Sequence, residues 1–246
     1  MTKKKPIALI VGAGDYIGAA IAKRFASGGF KVCLGRRKFK KLLPLVNEIN
    51  GAGGEAIPFE FDARDEQITE QIFKEIETKI GPLELVIFNP GGNVYFPISD
   101  TTSRVFRKVW EMSCFAGFLT GREAAKYMIP RKNGSIFFTG ATASIRGSSG
   151  YSAFASGKFG LRALAQSLAR ELGPLNIHVA HLIVDAAVDT QFVRELLSKK
   201  GVDLDELHEN YLMNPRSIAE SYWHLHHQTQ DGWTHELDLR PNGEKW

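Results

Sequence analysis

Cysteine is nearly missing from this chain: Cys33 and Cys114 are the only two in 246 residues, each inside an apolar run. That scarcity rules out a disulfide framework as the source of stability and points to a reducing, cytoplasmic compartment. The first apolar run, Ile7–Val11 after Pro6, is too short for a signal-peptide core or a membrane span, so no membrane partner is expected. Excess charge of one sign is slight, since 31 Lys and Arg against 27 Asp and Glu leave +4. The basic residues form short clusters at 3–5, 36–41 and 199–200. No helix carries a continuous basic face with interleaved aromatics, so a nucleic-acid partner is not expected either. No linker, repeat or low-complexity segment divides residues 1–246, which therefore read as one domain. His224, His226 and His227 lie close together, but only 224 and 227 share a helix face and no carboxylate partner is evident. A polar helix end is expected there, and no metal site.

What is present is 43% hydrophobic residues, enough for a sizeable core. Short β-rich runs at Ile7–Val11, 31–34, 56–61, Leu83–Phe88, 135–139 and 178–183 alternate with amphipathic stretches. The latter fall at Ile17–Ser27, 39–49, 66–80, 104–128 and 153–172, joined through Gly, Pro or Asn. This alternation predicts an α/β fold: a doubly wound parallel sheet in three αβα layers. Residues 233–240 alternate apolar and polar and read as a one-sided strand at a sheet edge. The segment 190–213, read as helical from 191, is placed to act as a substrate lid over the carboxyl ends of the strands, or as a helix without that role.

The segment Gly12-Ala-Gly-Asp-Tyr-Ile-Gly18 follows a strand and opens a helix. Gly12 permits the tight turn, Gly14 lets backbone approach a pyrophosphate, and Gly18 allows close helix packing, with free N–H groups at the helix start facing the phosphates. The second strand ends in Arg36-Arg37, which offers guanidinium forks to a phosphomonoester where an acid would select unphosphorylated ribose. The same arginines also fit a solvated start to the next helix. NADP(H) is thus expected in preference to NAD(H). Asp62 is placed either to accept from an adenine amine or to cap a helix.

These residues, with Asn89-Pro90-Gly91 after the fourth strand and Lys158 in a helix, resemble the short-chain dehydrogenase/reductase superfamily from Ile7 to Leu239. The resemblance implies a Rossmann-type domain, a small-molecule substrate and a homodimer or homotetramer built on the helices near 104–128 and 153–172. Ile17, Ala63, Val188 and Thr190 join Asn89, Gly91 and Lys158 in the cofactor-binding set it implies, and Tyr16 stands where the family's middle glycine falls. Carried across residue by residue, the family's mid-helix Asn becomes Ser113, its strand-end Ser becomes Ala141, its catalytic Tyr becomes Phe154 and its Pro-Gly becomes Val184-Asp185. Lys158 alone of that catalytic set is retained.

A phenylalanine ring cannot exchange a proton, so the family's ketone reduction requires another acid. Tyr151, seven residues before Lys158, gives a spacing similar to the divergent enoyl-thioester reductases of the superfamily; alternatively it is a surface loop residue. Thr142, flanked by Thr139 and Ser144, either orients a carbonyl or terminates the strand. Three functions follow: an NADP(H)-dependent reductase of a small apolar carbonyl or conjugated enone, with a non-standard proton donor; a catalytically silent NADP(H)-binding sensor or assembly partner; or a scaffold. Phe88, Tyr95, Phe96, Phe192, Tyr211 and Trp223 fit an apolar pocket or core packing equally.

Overall fold

Alternation along each strand sets the layers. In β1 (Ile7–Val11), Ile7, Leu9 and Val11 enter one apolar cluster while Ala8 and Ile10 enter another, on the opposite face of the sheet. In this computed structural model, which describes residues 4–243, β1 is followed by α1 (Ile17–Ser27), β2 (Lys31–Arg36), α2 (Leu43–Gly51) and β3 (Glu55–Glu60). Then come α3 (Glu66–Glu75), β4 (Leu83–Phe88), α4 (Ser103–Trp110), α5 (Ala116–Met128), β5 (Gly134–Thr139) and α6 (Ser152–Leu172). The chain closes with β6 (Ile177–Val184), α7 (Gln191–Lys199), α8 (Pro215–His226) and β7 (Glu236–Leu239). Of the basic cluster at 3–5, Lys3 lies outside the described residues.

The seven strands form one parallel sheet in the order β3-β2-β1-β4-β5-β6-β7. One face is covered by α1, α2 and α8 through Phe25, Val46, Ile218 and Tyr222; the other by α3, α5 and α6 through Phe73, Ala124, Leu161 and Ala165. The α/β fold with a doubly wound parallel sheet is therefore present, with strand order reversing between β1 and β4. A crevice opens at such a switch point, beyond the carboxyl ends of the strands. The strand at the chain's end is shorter than expected, Glu236–Leu239, and pairs parallel with β6 at the sheet edge.

Four helical expectations need correction, the first being 66–80, which is α-helical only to Glu75 and ends in a π-helical turn at Ile76–Ile80. The stretch 39–49 starts as a separate 3-10 turn, Phe39–Lys41, because Pro44 lacks an N–H and fits only in a first turn; α2 therefore restarts at Leu43. The stretch 104–128 contains a π-helical turn at Glu111–Phe115. That wider turn sets buried Ser113 against Gly157 of α6, where an added Cβ would lie 2.8 Å from Ser113 Cβ. The stretch 191–213 is helical only as Gln191–Lys199; beyond it Gly201 takes φ +76° and the chain runs irregularly to Asn214, which caps α8. Among the described residues no helix is long and apolar enough to cross a membrane.

Candidate functional site

At the end of β1 the Gly12 and Ala13 amides both donate to Gly35 O, at 2.9 and 3.0 Å, which folds the chain sharply over β2. Gly12 takes φ +81°, and a Cβ there would lie 3.0 Å from Pro90 N. At Gly18 a Cβ would meet Gly12 O at 2.5 Å and Ala13 Cα at 2.7 Å, both backbone atoms, so only glycine lets α1 begin this close to the strand. Gly14 has open space around its Cα, with nothing nearer than Gly12 O at 3.9 Å. Among the described residues no backbone acceptor takes the Ile17 or Gly18 amide, which leaves donors at the positive end of α1. Tyr16 turns outward, and its hydroxyl accepts from Gln191 N at 3.1 Å, tying this loop to α7.

Beside the glycine turn lies a cavity of about 310 Å³ lined by Gly12, Gly14, Arg36, Arg37, Asp62, Ala63 and Arg64. The two arginines differ. Arg36 is committed to Asp15 through Nη1 at 2.6 Å and Nη2 at 3.0 Å, and this hydrogen bond holds the Asp15 carboxyl below its ordinary range. Arg37 is exposed and makes no hydrogen bond or ion pair among the described residues. Asp62 does not cap α3. Asp65 does, accepting from Ile68 N at 3.0 Å. Asp62 instead accepts from Arg64 Nε at 2.9 Å and Nη2 at 2.5 Å, which lowers its pKa.

A second cavity, of about 400 Å³, continues the first along the strand ends; the two share Asn89 and Gly91. Asn89 is fixed by its N–H on Val11 O at 2.9 Å and its Nδ2 on Gly12 O at 3.1 Å, while its buried Oδ1 has no partner. Lys158 enters from α6 and is 3% exposed. Its ammonium donates to Thr139 O at 2.7 Å and Pro90 O at 3.2 Å, and burial brings its pKa down to about 8. The Phe154 ring lies 6.0 Å from that nitrogen, itself buried, and forms an apolar wall. Tyr151 lines the same cavity but stands at the position just before α6 rather than within it, and it packs edge-on against Tyr95 with ring centroids 5.4 Å apart. Ile17 and Val188 also line this cavity, and Thr190 caps α7 by accepting from Val193 N at 3.1 Å.

The hydroxyls around Ala141 are mostly engaged. Thr139 Oγ1 and Tyr222 share a hydrogen bond at 2.7 Å in which either hydroxyl can donate, and Ser144 Oγ, which accepts from Ala141 N at 3.1 Å, is fully buried and does not line the cavity. Thr142 Oγ1 donates to Asp185 Oδ1 at 2.5 Å. In this geometry Thr142 offers a reacting molecule an acceptor, not the donor that orienting a carbonyl requires. Asp185, 1% exposed, is also paired with Arg240, and Arg146 Nη2 lies 3.6 Å from its Oδ1. The sequence alone had not connected Asp185 with these arginines; its one signal was a charged residue directly after a fully buried strand. None of the six aromatic candidates lines the cavity: Phe88 is core, Trp223 packs on Phe25 at 5.3 Å, and Tyr95 touches Tyr151, which does line it. His226 contacts Ser135 Oγ at 3.1 Å, and among the described residues no group of His, Cys, Asp and Glu is arranged to hold a metal.

Residues 6–201 match the family model described as short chain dehydrogenase. A crystal structure of a short-chain dehydrogenase from Rhodopseudomonas palustris is similar at 49% identity and a TM-score of 0.82, over 97% of this chain and 99% of that one. A short-chain dehydrogenase/reductase of Armillaria gallica is 32% identical over 176 residues, 70% of this chain and 67% of its own length. The fold is shared with a metagenomic short-chain oxidoreductase in complex with NADP, at 24% identity and a TM-score of 0.82 over 96% of this chain and 97% of the other.

Proposed function

The chain belongs to the short-chain dehydrogenase family, oxidoreductases that bind nicotinamide cofactors, and from that premise we propose that it is an NADP(H)-dependent reductase of a small, apolar carbonyl or conjugated enone or enoyl compound. The residues present fit such a nucleotide: unpaired amides open α1, Gly12 and Gly18 have no room for a side chain, and the orphaned Asn89 Oδ1 sits where the two cavities meet. Arg37, uncommitted at the mouth of the first cavity, supports a 2′-phosphate, whereas Arg36 is held by Asp15.

When bound, the nicotinamide supplies a hydride in the second cavity. Lys158 would hold its ribose hydroxyls with the N–H that Thr139 O and Pro90 O leave uncommitted. On the family alignment, Ala141 and Phe154 replace the serine and tyrosine that would contact a substrate oxygen. Tyr151 then supplies the proton, its phenol swinging from the position just before α6 toward the developing enolate or alkoxide. The Tyr16–Gln191 contact ties the start of segment 190–213, the lid candidate, to the glycine turn.

The observation that carries this reading is one cavity, continuous with the nucleotide cleft, that is lined by Tyr151, Phe154 and Lys158 together. NADPH consumption with conjugated enones and ketones tests it. Tyr151→Phe is expected to lower turnover by about 100-fold or more, within the usual range for a lost general acid; unchanged turnover rejects Tyr151 as the donor. A second reading, an NADP(H)-binding protein without turnover, is favoured by the Thr142 proton being held on Asp185. It predicts nucleotide binding with no consumption across the whole panel.

The exposed rings of Trp110, Phe118 and Phe159 on α4, α5 and α6 support a homodimer or homotetramer, which a monomer by light scattering would contradict. The two free cysteines support a cytoplasmic location.

A further inference from the structure

Among the described residues Arg146 is the one charged side chain of the second cavity that reaches solvent. Its side chain is 51% exposed, whereas Lys158 is buried and turned toward two carbonyls. Its fork has no carboxylate of its own. Elsewhere in the chain Arg36, Arg162 and Arg194 each grip an acid with two nitrogens at 3.0 Å or less. Arg146 has only Asp185 Oδ1 at 3.6 Å, beyond hydrogen-bond range, and that carboxylate is already taken by Thr142 and Arg240. Among the described residues no aspartate or glutamate lines the cavity. A half-exposed guanidinium, a buried ammonium and an apolar wall of Phe154, Val184 and Val188 give a positive site of low polarity, which favours an anion with a hydrocarbon body.

We propose that this cavity takes a carboxylate-bearing carbonyl substrate, anchored by Arg146 through its carboxylate. The assignment deepens the reductase reading and rests on it for the carbonyl. A planar two-oxygen anion matches the single fork, while a phosphate dianion calls for more cations than this wall provides. Thr142 Oγ1, its own proton committed to Asp185, faces the same substrate as an acceptor and suits a hydroxyl or N–H group beside the carboxylate.

The test is calorimetric titration of the full chain with levulinate and with methyl levulinate, which share a ketone and differ in charge, in the presence and absence of NADP+. Wild type is expected to bind the acid at least about tenfold more tightly than the ester, ~1.4 kcal/mol. Arg146→Met is expected to bring the two within about twofold, with melting temperature and NADP+ affinity unchanged. Equal affinities in wild type, no binding of either compound, or a preference that survives in Arg146→Met would overturn the proposal. Displacement of levulinate by inorganic phosphate at lower concentration would overturn the carboxylate assignment. An Arg146-dependent preference without any NADP+ heat would sink the reductase reading and leave this anion site standing.

Discussion

Replacing Lys158 with methionine separates the cost of burying an amine from the use made of it. The side chain is 3% exposed, and desolvation lowers its pKa from 10.5 to about 8. The gap, 10.5 less about 8, is about 2.5 pH units at ~1.36 kcal/mol each, so the folded state charges this amine at a cost of roughly 3 kcal/mol. Below pH 8 both folded and unfolded chains hold the proton and the whole cost is present. Between 8 and 10.5 the unfolded chain binds more protons than the folded one, so stability rises with pH until both are neutral. Methionine removes the titration and leaves Thr139 O and Pro90 O without a donor, a loss of ~1–3 kcal/mol that does not vary with pH. Urea unfolding of both proteins at pH 7 and pH 10 therefore has a defined outcome. The stability of wild type relative to Lys158→Met should rise by about 2.5 kcal/mol between the two, all other titrating groups cancelling. A difference constant within about 0.5 kcal/mol would mean that the amine is solvated and that the burial argument is wrong.

Gly18→Ala places a Cβ 2.5 Å from Gly12 O and 2.7 Å from Ala13 Cα. It should lower stability by ~1–3 kcal/mol in urea and abolish NADPH binding, since the turn must open to admit the methyl. Arg37→Ser should weaken NADPH by about tenfold and leave NADH nearly unchanged in calorimetry; an equal loss for both would remove the phosphate contact. Burial holds His181 and His226 down to about 4, so the folded chain keeps them neutral where the unfolded chain takes up protons. Stability is then full above about pH 6.5 and falls as pH drops from there through 4. His226→Gln should flatten that fall, as read from urea midpoints at pH 7 and pH 5.

The strands were readable because each is a short, buried, β-branched run whose alternate residues face opposite helical layers, as Ile7–Val11 shows. The glycine turn was readable because sterics leave no alternative at Gly12 and Gly18. Contacts between residues distant in sequence were hidden. Nothing in Arg36-Arg37 says that Arg36 will be drawn off by Asp15, 21 positions earlier, while its neighbour stays free. The π turn at Glu111–Phe115 escaped because one extra residue barely disturbs a helical hydrophobic period, and its counterpart, Gly157, lies on another helix. Residues 200–213 read as helix from their apolar spacing, yet Gly201, Asp203 and Asp205 favour turns, and Asp205 N closes one onto Asp203 Oδ1 at 2.9 Å.

The reductase reading of the second cavity requires that the cleft beside Gly12, Gly18 and Lys158 hold a phosphorylated nicotinamide nucleotide. Calorimetric titration of the intact chain with NADPH should give saturable heat at one nucleotide per chain, with NADH markedly weaker. No heat from NADPH up to millimolar concentration would contradict it.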